Sequence, residues 1–411
     1  MKKSYLILAA VAGLFASCSQ NEEIVTVVDE PIQIGFDAFA DNLTRSTAIT
    51  AGTDLTKANG GFGVWGYKAP TAAQVTNTSG TINVSTAAPS TMQKVFDNVQ
   101  VWYDDASTPT QGYTYDVPKY WDKNQFYAFF AYAPYSDSNA AIADATGLIT
   151  LSNIPAKQDL SVSGTTSVNS VNYTTYTQTG TTVTDYLVAS CAENQKMNAT
   201  NQSSKNYTDD DLTVGFTFAH ILSQLKVNVK MAKTGNDTYK GIQKLEVTNL
   251  NIENLPNYNE TAVFTQTAVT GTAGTYSPAA YTTSLEIIGG THPTSSDGLY
   301  LLAEGANGTP LVAPTHLTQS FLYYLAPNTP SGTGTDKYLL NIDYKITYVD
   351  GTVETISRSE IDLSAATANL TSFQQGYIYT LNINVDMNQI YFTVDSTGTW
   401  TDQAATNVVV D

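Results

Sequence analysis

Tyr338-Leu339-Leu340-Asn341-Ile342-Asp343-Tyr344-Lys345-Ile346-Thr347-Tyr348, followed by Val349-Asp350-Gly351, is the stretch that decides the fold class. Tyr338, Leu340, Ile342, Tyr344, Ile346 and Tyr348 fall on one side of an extended chain, and Asn341, Asp343, Lys345 and Thr347 fall on the other. That period of two belongs to a strand with one buried face. Asp350-Gly351 reads as a two-residue hairpin turn with positive φ at both positions, and Val353–Ser359 is the return strand. Further on, Tyr377, Tyr379, Leu381, Ile383 and Val385 form another apolar face, Asp386–Gln389 turns, and Ile390, Phe392 and Val394 run back. Long antiparallel hairpins with one apolar face must pack on a second sheet, so the sequence predicts an all-β protein built from antiparallel β-sandwich layers.

Outward from this stretch the same period recurs. Val214, Phe216 and Phe218 alternate, His220-Ile221-Leu222-Ser223-Gln224 interrupts, and Leu225, Val227, Val229 and Met231 resume, which predicts strand, turn or bulge, strand. His220 reads as a core histidine in preference to a ligand. Ile242–Leu250 and Phe321–Leu325 are further strand candidates, and Phe62–Tyr67 is an apolar island among loops of small polar residues. Aromatic density rises through Val101-Trp102-Tyr103, Tyr113-Thr114-Tyr115 and Tyr120-Trp121 to Phe126–Tyr132, a run too short for most helices and rich in strand-favouring rings. Rings at buried-strand spacing read first as core; exposed, Trp102 or Tyr103 would offer a face for stacking a sugar. Near the start, Ile32, Ile34, Phe36, Ala38 and Ala40 alternate with Gln33, Gly35, Asp37 and Phe39 behind Pro31, a residue suited to the first position of a strand.

Length and charge bound the rest. With 411 residues the chain can bury two cores of ordinary size. Nineteen basic residues against 37 acidic ones give a net charge of −18, which repels phosphate backbones and excludes a nucleic-acid partner. Asp209-Asp210-Asp211 lacks the alternating ligands and glycine bend of a calcium loop and reads as a solvated turn. It places a boundary near residue 210, between an N-terminal sandwich over 31–210 and a C-terminal one over 211–411. No GxSxG elbow, P-loop, HExxH or CxxC pair is present, and His220, His292 and His316 are far apart in sequence. The expectation is a protein without catalytic residues, metal or cofactor. Cys191, in Tyr186-Leu187-Val188-Ala189-Ser190-Cys191-Ala192, reads as a small buried apolar residue rather than a nucleophile.

The N-terminus carries an address. Met1-Lys2-Lys3-Ser4 is basic, Tyr5–Phe15 is apolar, and Ala16-Ser17 precede Cys18, the pattern of a secretory signal peptide over residues 1–17. The apolar run is shorter than the ~20 residues a permanent span needs. Leu14-Phe15-Ala16-Ser17-Cys18 is also similar to a bacterial lipobox, in which the cysteine is acylated; the other reading is an ordinary signal peptide with an incidental cysteine. Several acyl chains on Cys18 would hold the protein to a membrane, whereas one holds only marginally. Residues 18–30 then form an acidic linker. Only two arginines occur in the chain, Arg45 and Arg358.

Taken together, the lipobox at Cys18, Thr44-Arg45-Ser46 after the first strand, Tyr120-Trp121-Asp122 with Phe126–Pro134, Phe216–Val227, and Gly376-Tyr377-Ile378-Tyr379 through Trp400-Thr401-Asp402 resemble the fimbrillin lipoproteins, the type V pilin group. The resemblance implies two tandem sandwiches with a transthyretin-like topology and export as an outer-membrane surface lipoprotein. It also implies cleavage by an arginine-specific protease at the arginine after the first strand, here between Arg45 and Ser46. Loss of the first strand, with Ile32, Ile34 and Phe36, would open a groove that a strand from another fimbrial subunit fills. Removing those three side chains costs at most ~5–9 kcal/mol, comparable to the ~5–15 kcal/mol by which whole domains are stable. A cut domain therefore needs a replacement.

The candidate donor is the tail, with Val408, Val409 and Val410 as its apolar part; equally, these residues form a last strand of their own domain. The tail reads as short for stalk polymerisation, which leaves tip or accessory roles open. Two functions follow: a fimbrial structural or accessory subunit serving adhesion, with a host or bacterial surface receptor, or a surface glycan-binding lipoprotein that does not polymerise.

Overall fold

A computed structural model describes residues 31–40, 54–86, 92–104, 112–155, 157–159, 161–168, 171–178, 184–196, 213–232, 242–255, 261–277, 283–288, 299–303, 315–316, 319–328, 337–364, 370–386, 390–397 and 408–410. The first part of the chain contributes β1 (Gly35–Ala40), β2 (Phe62–Ala69), β3 (Gln93–Asp104), β4 (Gly112–Thr114), β5 (Phe126–Ala133), β6 (Ala140–Ile142), β7 (Ile149–Pro155), β8 (Lys157–Asp159), β9 (Ser161–Val168), β10 (Val171–Gln178), β11 (Leu187–Ala189) and β12 (Ala192–Gln195). The second contributes β13 (Thr213–His220), β14 (Ser223–Met231), β15 (Ile242–Leu255), β16 (Thr261–Gln266), β17 (Gly274–Ser277), β18 (Thr283–Ile288), β19 (Leu299–Ala303), β20 (Thr315–His316) and β21 (Gln319–Leu325). It ends with β22 (Leu339–Tyr348), β23 (Val353–Asp362), β24 (Ile378–Val385), β25 (Ile390–Thr397) and β26 (Val408–Val410). No α-helix occurs among the described residues. The fold is all-β.

Four sheets make two facing pairs. Sheet I has the order β1-β13-β11-β5-β2-β3-β4, with β12 also on β5; sheet II is β17-β16-β7-β6; sheet III is β26-β25-β24-β14-β21-β8; sheet IV is β20-β19-β15-β22-β23, with β18 also on β15. Trp65, Tyr67, Phe130 and Tyr132 of sheet I share a buried cluster with Ile149, Leu151, Ile154 and Phe264 of sheet II. Leu225, Val227, Phe321, Tyr323, Leu381 and Ile383 of sheet III share another with Leu245, Val247, Leu340, Ile342 and Tyr344 of sheet IV. β21 serves both, because Phe321, Tyr323 and Leu325 face one cluster and Leu322 and Tyr324 the other. That two-sided burial accounts for its unbroken apolar run, since a strand covered on both faces has no polar side to show.

Register confirms the alternation that marks β22. Its apolar residues from Leu340 to Ile346 are buried and the residues between them half-buried, and it pairs antiparallel with β23 and β15. The turn differs in detail from the sequence expectation. Tyr348 N–H donates to Thr352 O at 2.8 Å, so three residues form the loop, and within it only Gly351 has positive φ, at 84°. A type I turn closed by a left-handed glycine needs that conformation once, not twice. Most pairings are antiparallel, but β1 runs parallel to β13, and β14 runs parallel to β24.

The expected boundary at residue 210, with its three aspartates, lies outside the described residues. β13, just beyond it, is hydrogen-bonded into sheet I beside β1 and β11, while β14 enters sheet III. The chain thus passes from one sandwich to the other at Ile221-Leu222. β16, farther on, returns to pair with β7, and β17 pairs with β16. Residues 33–411 form one compact unit; of residues 1–32 only Pro31, exposed, and Ile32, half-buried, are described.

Glycines in β2 make room for the rings of its neighbours. A Cβ at Gly66 would stand 2.7 Å from Phe96 Cδ2 and 2.9 Å from Phe129 Cδ1, whereas one at Gly271 would meet nothing within 4 Å. Overfilling a packed core costs ~1–3 kcal/mol, and open surface substitutions stay within ~0.5 kcal/mol. Gly66→Ala is therefore expected to lower the guanidinium unfolding free energy by ~1–3 kcal/mol, with Gly271→Ala close to the parent.

Candidate functional site

β1 lies at the end of the strand order of sheet I, bonded along one edge to β13 in parallel register from Gly35↔Thr213 to Ala40↔Phe218. Its alternation places Ile34, Phe36 and Ala38 inside, at 0%, 5% and 5% exposure, and leaves Gly35 and Asp37 half-buried. Edge strands are commonly half-exposed. This one carries the centre of a core.

Phe36 sits among five rings. Its centroid is 5.2 Å from Phe96, 5.7 Å from Phe129, 5.8 Å from Tyr115 and 6.5 Å from Phe62, all edge-on, and it stacks on Phe216 at 5.9 Å with 16° between planes. These rings come from β2, β3, β5, β13 and the residue after β4, so sheet I curls around the place where Phe36 inserts. The opposite face of the same sheet supplies the cluster shared with sheet II. That is why Phe126–Tyr132 reads as continuous aromatics: Phe129 points to the first core and Phe130 to the second.

A grip precedes the ring. Ile34 N–H donates to Lys119 O at 2.8 Å, and the Tyr115 hydroxyl donates to Ile34 O at 2.7 Å, while Gln33 bridges to Tyr120. The segment after β4 therefore takes both main-chain groups of Ile34. Burial pushes the Tyr115 phenol above its ordinary range, and a phenol is protonated and able to donate at neutral pH with or without that shift. Sequence reading counted Tyr115 only as part of a run of aromatics; nothing local marks a hydroxyl whose partner is 81 positions away.

The other residues singled out from sequence fall as follows. Cys18, Arg45 and Ser46 lie outside the described residues, as do His292, Trp400 and Ala404–Asn407. Val408–Val410 forms β26, antiparallel to β25 with Val410 opposite Ile390, at the edge of sheet III. The other candidate platform, Trp102 and Tyr103, is half-buried: the Lys57 ammonium lies 3.8 Å over the Trp102 ring, and Tyr103 meets Tyr113 edge-on at 5.5 Å. His220 is buried, its Nδ1 2.7 Å from Asp185 Oδ2. Cys191 packs beside the cluster shared by sheets I and II, and desolvation raises its thiol pKa well above the ordinary value. Among the described residues no group of three or more His, Cys, Asp or Glu could hold a metal ion.

The fimbrillin-like family model matches residues 44–400. The chain belongs to the fimbrillin-like family. No curated protein matches it. Solved structures similar to this fimbrillin-like chain include a candidate cell adhesion protein from Bacteroides uniformis, 15% identical over 90% of this chain and 99% of that one, with a TM-score of 0.39. Another from Bacteroides ovatus is 13% identical over 91% and 99%, with a TM-score of 0.38. The tip fimbrial protein Mfa3 from Porphyromonas gingivalis, with a C-terminal truncation, is 10% identical over 81% of this chain and 92% of that one, with a TM-score of 0.27. The matched family region opens one residue before Arg45 and leaves β1 outside it.

Truncating a buried phenylalanine costs ~3–5 kcal/mol, and stranding a buried carbonyl costs ~1–3 kcal/mol. In the uncut protein Phe36→Ala is expected to lose ~3–5 kcal/mol of stability and Tyr115→Phe ~1–3 kcal/mol, both read by chemical denaturation.

Proposed function

We propose that this protein is a structural or accessory subunit of a cell-surface fimbria, assembled by exchange of its first strand and serving adhesion. Its role is structural rather than enzymatic. The observation that carries the reading is β1: it is bonded to the sheet through β13 at the end of the strand order, yet it fills the ring-lined centre of a core. An edge position means the strand can leave without unthreading the chain. Its central side chains mean the place cannot stay empty, since Ile34 and Phe36 each contribute ~1.5–3 kcal/mol of apolar burial in a protein expected to be stable by only ~5–15 kcal/mol. A strand from a neighbouring subunit, added beside β13, restores both the ladder and the apolar contact.

On this reading residues 1–17 direct export and are removed, Cys18 is acylated, and residues 18–30 space the first sandwich from the outer membrane. An arginine-specific protease cuts between Arg45 and Ser46, where Arg45 follows the first strand by five residues, and releases β1 with Ile32, Ile34 and Phe36. The chain divides near residue 210 into an N-terminal and a C-terminal half, each lending strands to the other's sheets: β8 to sheet III, and β13, β16 and β17 to sheets I and II. β26, with Val408, Val409 and Val410, is the candidate donated segment, because an edge strand at the end of sheet III can detach without disturbing the strands inside it.

Two experiments separate the parts. Arg45→Ala is expected to accumulate as unassembled subunits on native gels and by electron microscopy; normal fibres from this variant would contradict the cleavage step. Cys18→Ala is expected to move the protein from the membrane fraction to the soluble fraction. Retention in the membrane would contradict the lipid anchor.

A further inference from the structure

We infer that the place β1 occupies is a ring-selective socket, which takes an extended segment of a second protein chain carrying an aromatic residue at the position of Phe36 and a small residue at that of Ala38, and which rejects valine-rich strands such as Val408–Val410. The inference rests on the strand-exchange reading and names the chemistry of the incoming partner.

Three features define what fits. First, the register is fixed by main-chain groups alone: Lys119 O and the Tyr115 hydroxyl take the N–H and C=O of residue 34, whatever its side chain. Any strand gripped there and running alongside β13 presents its next inward residue, two positions on, to the same spot. Second, that spot is walled by Phe62, Phe96, Tyr115, Phe129 and Phe216, with centroids 5.2–6.5 Å from the Phe36 ring. Such spacings match edge-on and stacked aromatic pairs, so an aromatic ring fills the place and an aliphatic residue leaves a void. Third, the flanking positions admit little bulk. A Cβ at Gly35 would stand 3.3 Å from Thr213 Oγ1, and Ala38, opposite Phe216 in the register, is 5% exposed.

The pattern is therefore large aliphatic, small, aromatic, unrestricted, alanine, as in Ile34-Gly35-Phe36-Asp37-Ala38. Val408-Val409-Val410 has no ring to offer at any register, and in this structure it is paired with β25. Valine at the third position would leave the hole between five rings mostly empty. Donation of this segment into another copy of the same chain is accordingly disfavoured, and the fitting donor is a different chain with an aromatic in its inserted strand.

The test uses the full chain carrying Arg358→Lys, so that an arginine-specific protease cuts only at Arg45 and leaves the nicked first segment in place. Fluorescent peptides then compete for that place: residues 31–42 as they stand, the same peptide with Phe36→Ala, and residues 404–411. The parent peptide is expected to exchange in, the Phe36→Ala peptide to bind about 100-fold more weakly, and the 404–411 peptide to compete no better than the Phe36→Ala peptide. Equal binding by the parent and Phe36→Ala peptides, or tight binding by 404–411, would overturn the selectivity while leaving strand exchange standing. Failure of the parent peptide itself to exchange would overturn both.

Discussion

The contact between Phe36 and the five rings around it is the constraint on which the first sandwich depends. β1 brings that ring to the middle of sheet I, and the segment after β4 reaches across to hold Ile34. β2, β3, β5 and β13 each contribute one ring of the wall, and Tyr115 after β4 contributes the fifth. The inward residues of β1 have meaning only inside the cavity the others make. The placement is unusual for an edge strand, which is ordinarily the least costly element of a sheet to lose.

That arrangement also explains how two sandwiches come to behave as one unit. β13 is the strand bonded to β1, and after His220 the chain needs only Ile221 and Leu222 to reach β14 in sheet III. β21, bonded to β14, shows one face to each apolar cluster. The strand that holds β1 is thus joined by two residues to the second sandwich, and sheets II and IV complete the two apolar clusters.

Much of the fold was legible in the sequence, because one-sided burial writes a period of two. Tyr338–Tyr348, Tyr377–Val385, Leu225–Met231 and Ile32–Ala40 all announce strands in that way, and each lies in or overlaps one; Val353–Ser359, mostly exposed, is legible only from the turn before it. Pairing was much less legible. β1 joins β13 across roughly 180 positions of sequence and β7 joins β16 across more than 100, and no local pattern encodes such distances. The hairpin β9–β10 is hard to read from sequence because threonines and serines outnumber its apolar residues and break up their alternation. At the site, the inward residues of β1 were readable from their alternation, whereas the hydroxyl of Tyr115 and the carbonyl of Lys119 were not, since their roles arise only when sheet I curls. Arg45 could be read as an address because arginine is so scarce in this chain.

The central claim is that β1 is a core strand built to be exchanged, and the most direct test is the mass and N-terminal sequence of the subunit recovered from assembled fibres on the cell surface. The account predicts a chain that begins at Ser46 and lacks Gly35–Ala40. A fibre subunit that begins at acylated Cys18 and still contains its own β1 would contradict it.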